Sequence, residues 1–210
     1  MDDYKLNVIT PFGPSIAKVK IPEKILKILN DHTDKVTNDK KLYKEMDAGK
    51  TLIGNVAQEI FLSQEIIKES GWLSFLANAT RTWIKYALNK EITKLNVNNS
   101  WIVRQFSNQY NPVHWHSGHI SGAGFLKVPS TFGETFQKDK KNLNGNLVLI
   151  NGQRSFMCDS KYEIKPKVGD FYIFPHYLMH TVYPFKDTDE ERRSISFNAV
   201  IDEKTFDVFY

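Results

Sequence analysis

The chain has 210 residues, 41% hydrophobic, 13% aromatic and 25% charged, with a formal net charge of +4. This is the balance of a globular protein long enough to bury a sizeable core, and it predicts a single domain over residues 1–210. A lone cysteine, Cys158, excludes an internal disulfide and a Cys-rich zinc site. No run of about 18 apolar residues offers a membrane span, and the charged start MDDYKLNVITPF lacks the apolar core of a signal peptide. The lysines are scattered among acidic residues and asparagines, so the charge gives no indication of nucleic-acid binding. The expectation is a soluble protein of the reducing cytoplasm.

Residues 5–20, KLNVITPFGPSIAKVK, alternate apolar and polar around a Phe-Gly-Pro break, which predicts two short strands. In IPEKILKILNDHTDKV a proline stands near a helix start, and Ile25, Leu26, Ile28 and Leu29 recur at helical spacing, predicting a helix over 22–35. His32, in its polar end, reads as structural or solvent-facing. Polar, asparagine-containing loops follow. In SGWLSFLANATRTWIKYALNK the residues Trp72, Phe75, Leu76, Ala79, Trp83, Tyr86 and Ala87 recur every three or four positions, placing the aromatics on one core-facing side of a second helix. From residue 98 the period changes. WIVRQFSN, HISGAGFLKV, GNLVLING, KYEIKP, GDFYIFP, HTVYPF and RSISFNAVI are short β-branched and aromatic runs separated by Gly, Pro, Asn and Asp, the pattern of an antiparallel sandwich or barrel. The fold class is therefore α+β, mainly β: N-terminal strands and supporting helices over 1–97, and a jelly-roll barrel over 98–210. Two further features read plainly. The segment STFGETFQKDKKNLNGN is a long, charged, solvated loop of the kind that shapes substrate access, and Cys158 is inert packing beside a strand.

Three of the six histidines, His114, His116 and His119, crowd into NPVHWHSGHISGAGFL. On an extended strand residues i and i+2 share a face about 7 Å apart, so His114 and His116 aim together, and Pro112 favours extended geometry. Two imidazoles supply only part of a metal's coordination shell. His180, in GDFYIFPHYLMHTVYPF, is the candidate for a third ligand reaching across the barrel mouth. The same pattern fits two solvated histidines on a surface strand; His119 reads as a loop residue and His176, after Pro175, as a turn residue. In RRSISFNAV, Arg192 and Ser194 share a strand face, and a planar fork beside a hydroxyl is suited to gripping a carboxylate. The alternative is an edge-strand arginine paired with Glu190 or Glu191.

Taken in order, YNPVHWHSGHISGAGFLKVP, GNLVLING, VGDFYIFPHYLMHTVYPF and RRSISFNAVID resemble the 2-oxoglutarate- and Fe(II)-dependent oxygenases. More narrowly they resemble the small prolyl-4-hydroxylase-like branch common in bacteria and phages, which NVITPFGPSIAKVKIP also resembles more weakly. The resemblance implies a double-stranded β-helix, a cupin-like jelly roll backed by helices. It implies His114, His116 and His180 as catalytic metal ligands, with His116 in the position usually held by aspartate or glutamate. It places the distal carboxylate of 2-oxoglutarate on Arg192, rather than Arg193, and on Ser194, with Tyr110 helping to hold the cosubstrate. Phe125, Leu147, Leu149 and Ile173 would wall the pocket. The implied cofactors are Fe(II), 2-oxoglutarate and O2, and the implied reaction is hydroxylation of a C–H bond with release of succinate and CO2. The implied substrate is a prolyl or other protein side chain or a small metabolite, in the cytoplasm of a bacterium or phage-infected host cell. Two other readings stand beside it. His116 favours a three-histidine cupin-type dioxygenase that does not use 2-oxoglutarate, against which Arg192 and Ser194 argue. The third is a non-catalytic jelly-roll binding module.

Overall fold

The computed structural model describes residues 13–207. In chain order the elements are β1 (Ala17–Lys20), α1 (Glu23–Asn38), α2 (Lys40–Met46), β2 (Gln58–Phe61), α3 (Gln64–Glu69) and α4 (Trp72–Leu88), followed by β3 (Leu95–Gln105), β4 (Asn111–His114), β5 (Ile120–Lys127), β6 (Leu147–Ile150) and β7 (Lys161–Ile164). The chain ends with β8 (Asp170–Pro175), β9 (Met179–Val182), β10 (Arg192–Ile201) and the single turn α5 (Glu203–Phe206). Two antiparallel sheets result, one ordered β1-β8-β5-β10-β3-β2 and the other β4-β9-β6-β7. Their facing surfaces and the helices behind the larger sheet make the double-stranded β-helix with supporting helices.

The larger sheet is buried on both faces, and the pleat sorts its side chains. On β10, Ile195, Phe197 and Ala199 face the helices and pack with Ile25, Leu29, Trp72 and Leu76. The alternate residues Arg192, Ser194 and Asn198 face the space between the sheets, where Phe125, Leu147, Leu149, Tyr172, Phe174 and Val182 form a second core. Ile173 lies on the helix side, in the first core, so it is not a wall of the inner space. Gly124 belongs to the same face: a Cβ there would press on the Phe171 ring and lie 2.8 Å from the Asp170 carbonyl oxygen, so only glycine lets β8 approach this closely.

Each helix is docked by named contacts. Trp72, fully buried at the start of α4, donates from Nε1 to Ser100 Oγ on β3 (3.0 Å) and meets Phe171 edge-on with centroids 5.1 Å apart. Arg193 points from β10 into α1, donating to Asp34 Oδ1 (2.5 Å) and Asn30 O (3.1 Å) while Glu191 receives its Nε (2.6 Å). α4 is bounded by Gly71 at φ 81° and Asn89 at φ 53°, left-handed positions that glycine and asparagine tolerate.

The expected helix over 22–35 runs one turn further, to Asn38, because Thr33 and Val36 continue the buried stripe of Ile25 and Leu29. The second of the two expected N-terminal strands is β1; the first lies outside the described residues. The core-facing aromatic stripe of α4 holds through Trp83, but Tyr86 is exposed. The polar region expected as loops contains α2, β2 and α3. Cys158 is exposed in a turn with Ser155, not packed beside a strand. Residues 138–142 of the long loop are solvated as expected. Among the described residues no helix is long and apolar enough to cross a membrane.

Candidate metal centre

His114 ends β4 and stands opposite His180 on β9, their ring centroids 4.2 Å apart. Both imidazoles donate Nδ1–H to a carbonyl two residues earlier, His114 to Pro112 (2.7 Å) and His180 to Leu178 (2.9 Å). The tautomer is thereby fixed with the Nε2 lone pair free. His116 lies one residue past the first neighbour of the strand end, so the pleat does not orient it. Its backbone N–H donates to the His176 carbonyl (3.0 Å), and His176 Nδ1 donates back to the His116 carbonyl (3.0 Å). His176, read from the sequence as a turn residue, is the clamp that turns His116 toward the other two.

The result is convergence. His116 Nε2 and His180 Nε2 are 3.0 Å apart, and ligand atoms of all three histidines lie within 4.8 Å of one another. Two imidazole nitrogens about 2.1 Å from one ion and at right angles to each other are about 3.0 Å apart, so the spacing fits a shared metal. Burial, reinforced by the neighbouring imidazoles, pushes the pKa of His116 down to about 2 and that of His180 down to about 4. Burial also lowers that of His114. All three are therefore neutral at neutral pH, the state in which imidazole ligates. Among the described residues the converging group contains no carboxylate.

Arg192 is 1% exposed on the inner face of β10. Its guanidinium lies 5.1 Å from the Phe125 centroid and, among the described residues, donates only to neutral acceptors: Gly145 O (3.1 Å), Gln105 Oε1 (3.2 Å) and Ser194 Oγ (3.3 Å). Burial lowers its pKa to about 9, with no carboxylate to oppose the shift, and it keeps its charge at neutral pH. Arg193, one pleat away, faces α1 and is paired with Asp34 and Glu191. Phe125 belongs to the same apolar cluster as Phe174, whose ring meets that of His180 edge-on at 5.1 Å, so the buried cation and the histidines share one interior.

Residues 99–198 match a family model described as "Putative 2OG-Fe(II) oxygenase". That stretch contains the three histidines, Arg192 and Ser194. Over that stretch, just under half of the chain, it is similar to the 2-oxoglutarate- and Fe(II)-dependent oxygenases. Solved structures agree in fold at low identity. A prolyl-4-hydroxylase of Pseudomonas putida matches at 14% identity and TM-score 0.56, covering 87% of this chain and 91% of that one. AviO1 of Streptomyces viridochromogenes Tue57 matches at 14% and 0.58, covering 90% of each. A Trichoplax adhaerens prolyl hydroxylase, in complex with a hypoxia inducible factor oxygen degradation domain peptide fragment, matches at 12% and 0.56, covering 90% and 84%. Among curated proteins no sequence is a significant match. The oxygenase family uses Fe(II), 2-oxoglutarate and O2, and three convergent neutral imidazoles suit the first of these.

The remaining candidate residues fall out less uniformly. Tyr110 sits at the rim, 40% exposed, its backbone bridged to Asn55. His119 is not with the other histidines: its ring stacks on Phe206 at 3.8 Å and its Nδ1 accepts the Ile201 N–H (3.1 Å). Beside His114 and His116 a cavity of about 260 Å³ opens between β2, β3 and β10. It holds Glu59, 2% exposed, whose pKa burial and the nearby Asp47 raise to about 7. No sequence pattern marked that glutamate; only the pairing of β2 with β3, Glu59 opposite Val103, turns it inward.

Proposed function

We propose that this oxygenase hydroxylates a C–H bond of a protein side chain or small metabolite, with His114, His116 and His180 holding Fe(II). One atom of O2 enters the product hydroxyl and the other enters succinate, with CO2 released. The observation that carries the reading is Arg192, a buried cation answered among the described residues only by neutral groups, facing the same interior as three convergent imidazoles. A dicarboxylate is the missing counter-charge. Arg192 and Ser194 would grip its distal carboxylate, and Gln105 and Gly145 would hold the guanidinium in register for it. The apolar wall of Phe125, Leu147, Leu149 and Phe174 excludes water around this chain of contacts.

Fe(II), when bound, supplies the oxygen activation that couples oxidative decarboxylation to C–H hydroxylation. The protein's part is to fix three lone pairs and one carboxylate relative to one another. Tyr110, at the rim, would close over the cosubstrate. Two of the similar structures are named as prolyl hydroxylases, which leaves a protein side chain among the candidate substrates. We read the chain as one domain acting in the cytoplasm, a reducing compartment that suits the exposed free thiol of Cys158.

Anaerobic titration with Fe(II) and 2-oxoglutarate tests this. A visible metal-to-ligand charge-transfer band is expected, absent in His180→Ala and requiring more 2-oxoglutarate in Arg192→Ala. Metal binding without the band would favour the three-histidine cupin-type dioxygenase, the reading that the absence of a carboxylate ligand supports. No metal binding at all would leave a jelly-roll binding module.

A further inference from the structure

The cavity beside His114 and His116 has a one-sided chemistry. Its wall combines the carboxylate of Glu59, the amides of Asn99, Asn111 and Asn198, and the rings of Trp101 and Trp115, with no lysine or arginine. Glu59 is 2% exposed, and no cation or hydrogen-bond donor among the described residues offsets its burial. Asn198 is 5% exposed, and its Oδ1 is buried without a donor; the Oδ1 atoms of Asn99 and Asn111 are in the same condition. These groups are brought together by the fold. Asn99 and Asn198 are directly opposite in the β3–β10 register. Glu59 and Asn111 both close on Gly54, where a Cβ would stand 2.6 Å from Glu59 Oε1 and 2.9 Å from Asn111 Oδ1.

Buried acceptors without donors are rare, because each loses its hydrogen bonds to water and regains none. Here three amide oxygens do so around one small cavity, beside two aromatic faces and a carboxylate that no cation among the described residues faces. All of them are satisfied together by one kind of group, a cation rich in N–H donors. A proline ring carries no N–H donor, so a prolyl side chain inserted here would leave these acceptors without a partner.

We propose that this cavity receives the cationic nitrogen group of the substrate, a guanidinium or ammonium, with Glu59 as its counter-charge and the asparagine amides as acceptors. The inference rests on the reading that the adjacent histidines carry the metal, and it narrows the substrate to a basic side chain or a small basic amine. Hydroxylation then falls on a carbon of the chain that carries this group.

The test uses the full-length protein and defined probes: the N-acetyl methylamides of arginine, lysine, citrulline, norleucine and proline, and free arginine. Calorimetric binding is measured with and without Fe(II) and 2-oxoglutarate, and succinate formation is followed alongside. The arginine or lysine probe is expected to bind at least about tenfold more tightly than its neutral counterpart. Glu59→Gln is expected to remove that preference while leaving the Fe(II)–2-oxoglutarate band unchanged. Free arginine binding as well as its blocked form would assign a metabolite, and binding of the blocked form alone would assign a protein side chain; either supports the proposal. Equal binding of cationic and neutral probes, preference for proline, or no binding of either cationic probe would overturn it, and these comparisons need no variant. The band without cation preference sinks this inference and spares the oxygenase reading; cation preference without the band does the reverse.

Discussion

Arg192 and Arg193 are neighbours in sequence and face opposite sides of β10, so replacing each by methionine should separate cosubstrate binding from stability. Arg193 is 0% exposed at its side chain and bonded to the half-exposed Asp34 and the largely buried Glu191; removing one partner of a buried pair such as Arg193–Glu191 costs about 3–5 kcal/mol. Arg192→Met relieves the burial of an unpaired cation, worth several kcal/mol, but orphans Gly145 O, Gln105 Oε1 and Ser194 Oγ at about 1–3 kcal/mol each. These terms offset, so its urea midpoint should stay closer to wild type than that of Arg193→Met. Binding should reverse the order. Losing a buried cation–carboxylate contact costs about 2–5 kcal/mol, or about 30-fold to several thousand-fold in Kd at 1.4 kcal/mol per decade. With a redox-inert divalent ion in place of Fe(II), 2-oxoglutarate at 100 times its Kd should stabilise wild type by about 2.7 kcal/mol. The same concentration should stabilise Arg193→Met equally and Arg192→Met hardly at all. Equal loss of 2-oxoglutarate affinity in both variants, or none in Arg192→Met, would refute the assignment of faces to roles.

His176→Ala should weaken divalent-metal affinity by about 10- to 100-fold in a chelator competition, although His176 acts only through the backbone of His116; unchanged affinity would mean His116 holds itself. The raised pKa of Glu59, about 7 against 4.5 for the ordinary group, means the folded metal-free protein binds the extra proton between those values. The Glu59 contribution to stability should therefore be lost as pH rises through that window, by about 3 kcal/mol in total, and it is read as the difference between wild type and Glu59→Gln because the lowered histidine pKa values drive the opposite trend in both proteins. Parallel denaturation profiles for the two proteins would contradict it. Gly124→Ala should destabilise by about 1–3 kcal/mol in the same melts, since its Cβ would press on Phe171 and on the Asp170 backbone; a neutral effect would show that β8 can shift.

How far the sequence could be read follows from which residues carry a period. The long strands β3, β5 and β10 and the helices α1 and α4 stood out because each commits an apolar face to a core. α2, β2 and α3 did not, because α2 buries no side chain, α3 buries one, and they are held by caps from Asp39 and Ser63 and by an edge pairing. In β8 the run FYIF is buried on both sides, so no alternation distinguishes Ile173 from its inward neighbours Tyr172 and Phe174. Strand parity pointed to the convergence of His114 and His116 for the wrong reason: β4 ends at His114, and the clamp is His176, about sixty positions later in the chain. The same long-range logic governs the charge of the site. The ligand loop carries histidine where a carboxylate is usual, and that loss is visible in sequence. The acid that faces the same cavity, Glu59, sits in β2, and nothing local distinguishes it from the other glutamates of the N-terminal half. Only the register Glu59 opposite Val103 brings it inside, where burial and Asp47 make its negative charge costly until a cation arrives. On the proposed reading, a neutral ligand set and an acid on the substrate side form one arrangement: the carboxylate missing from the metal's shell would stand where it can select what the metal oxidises.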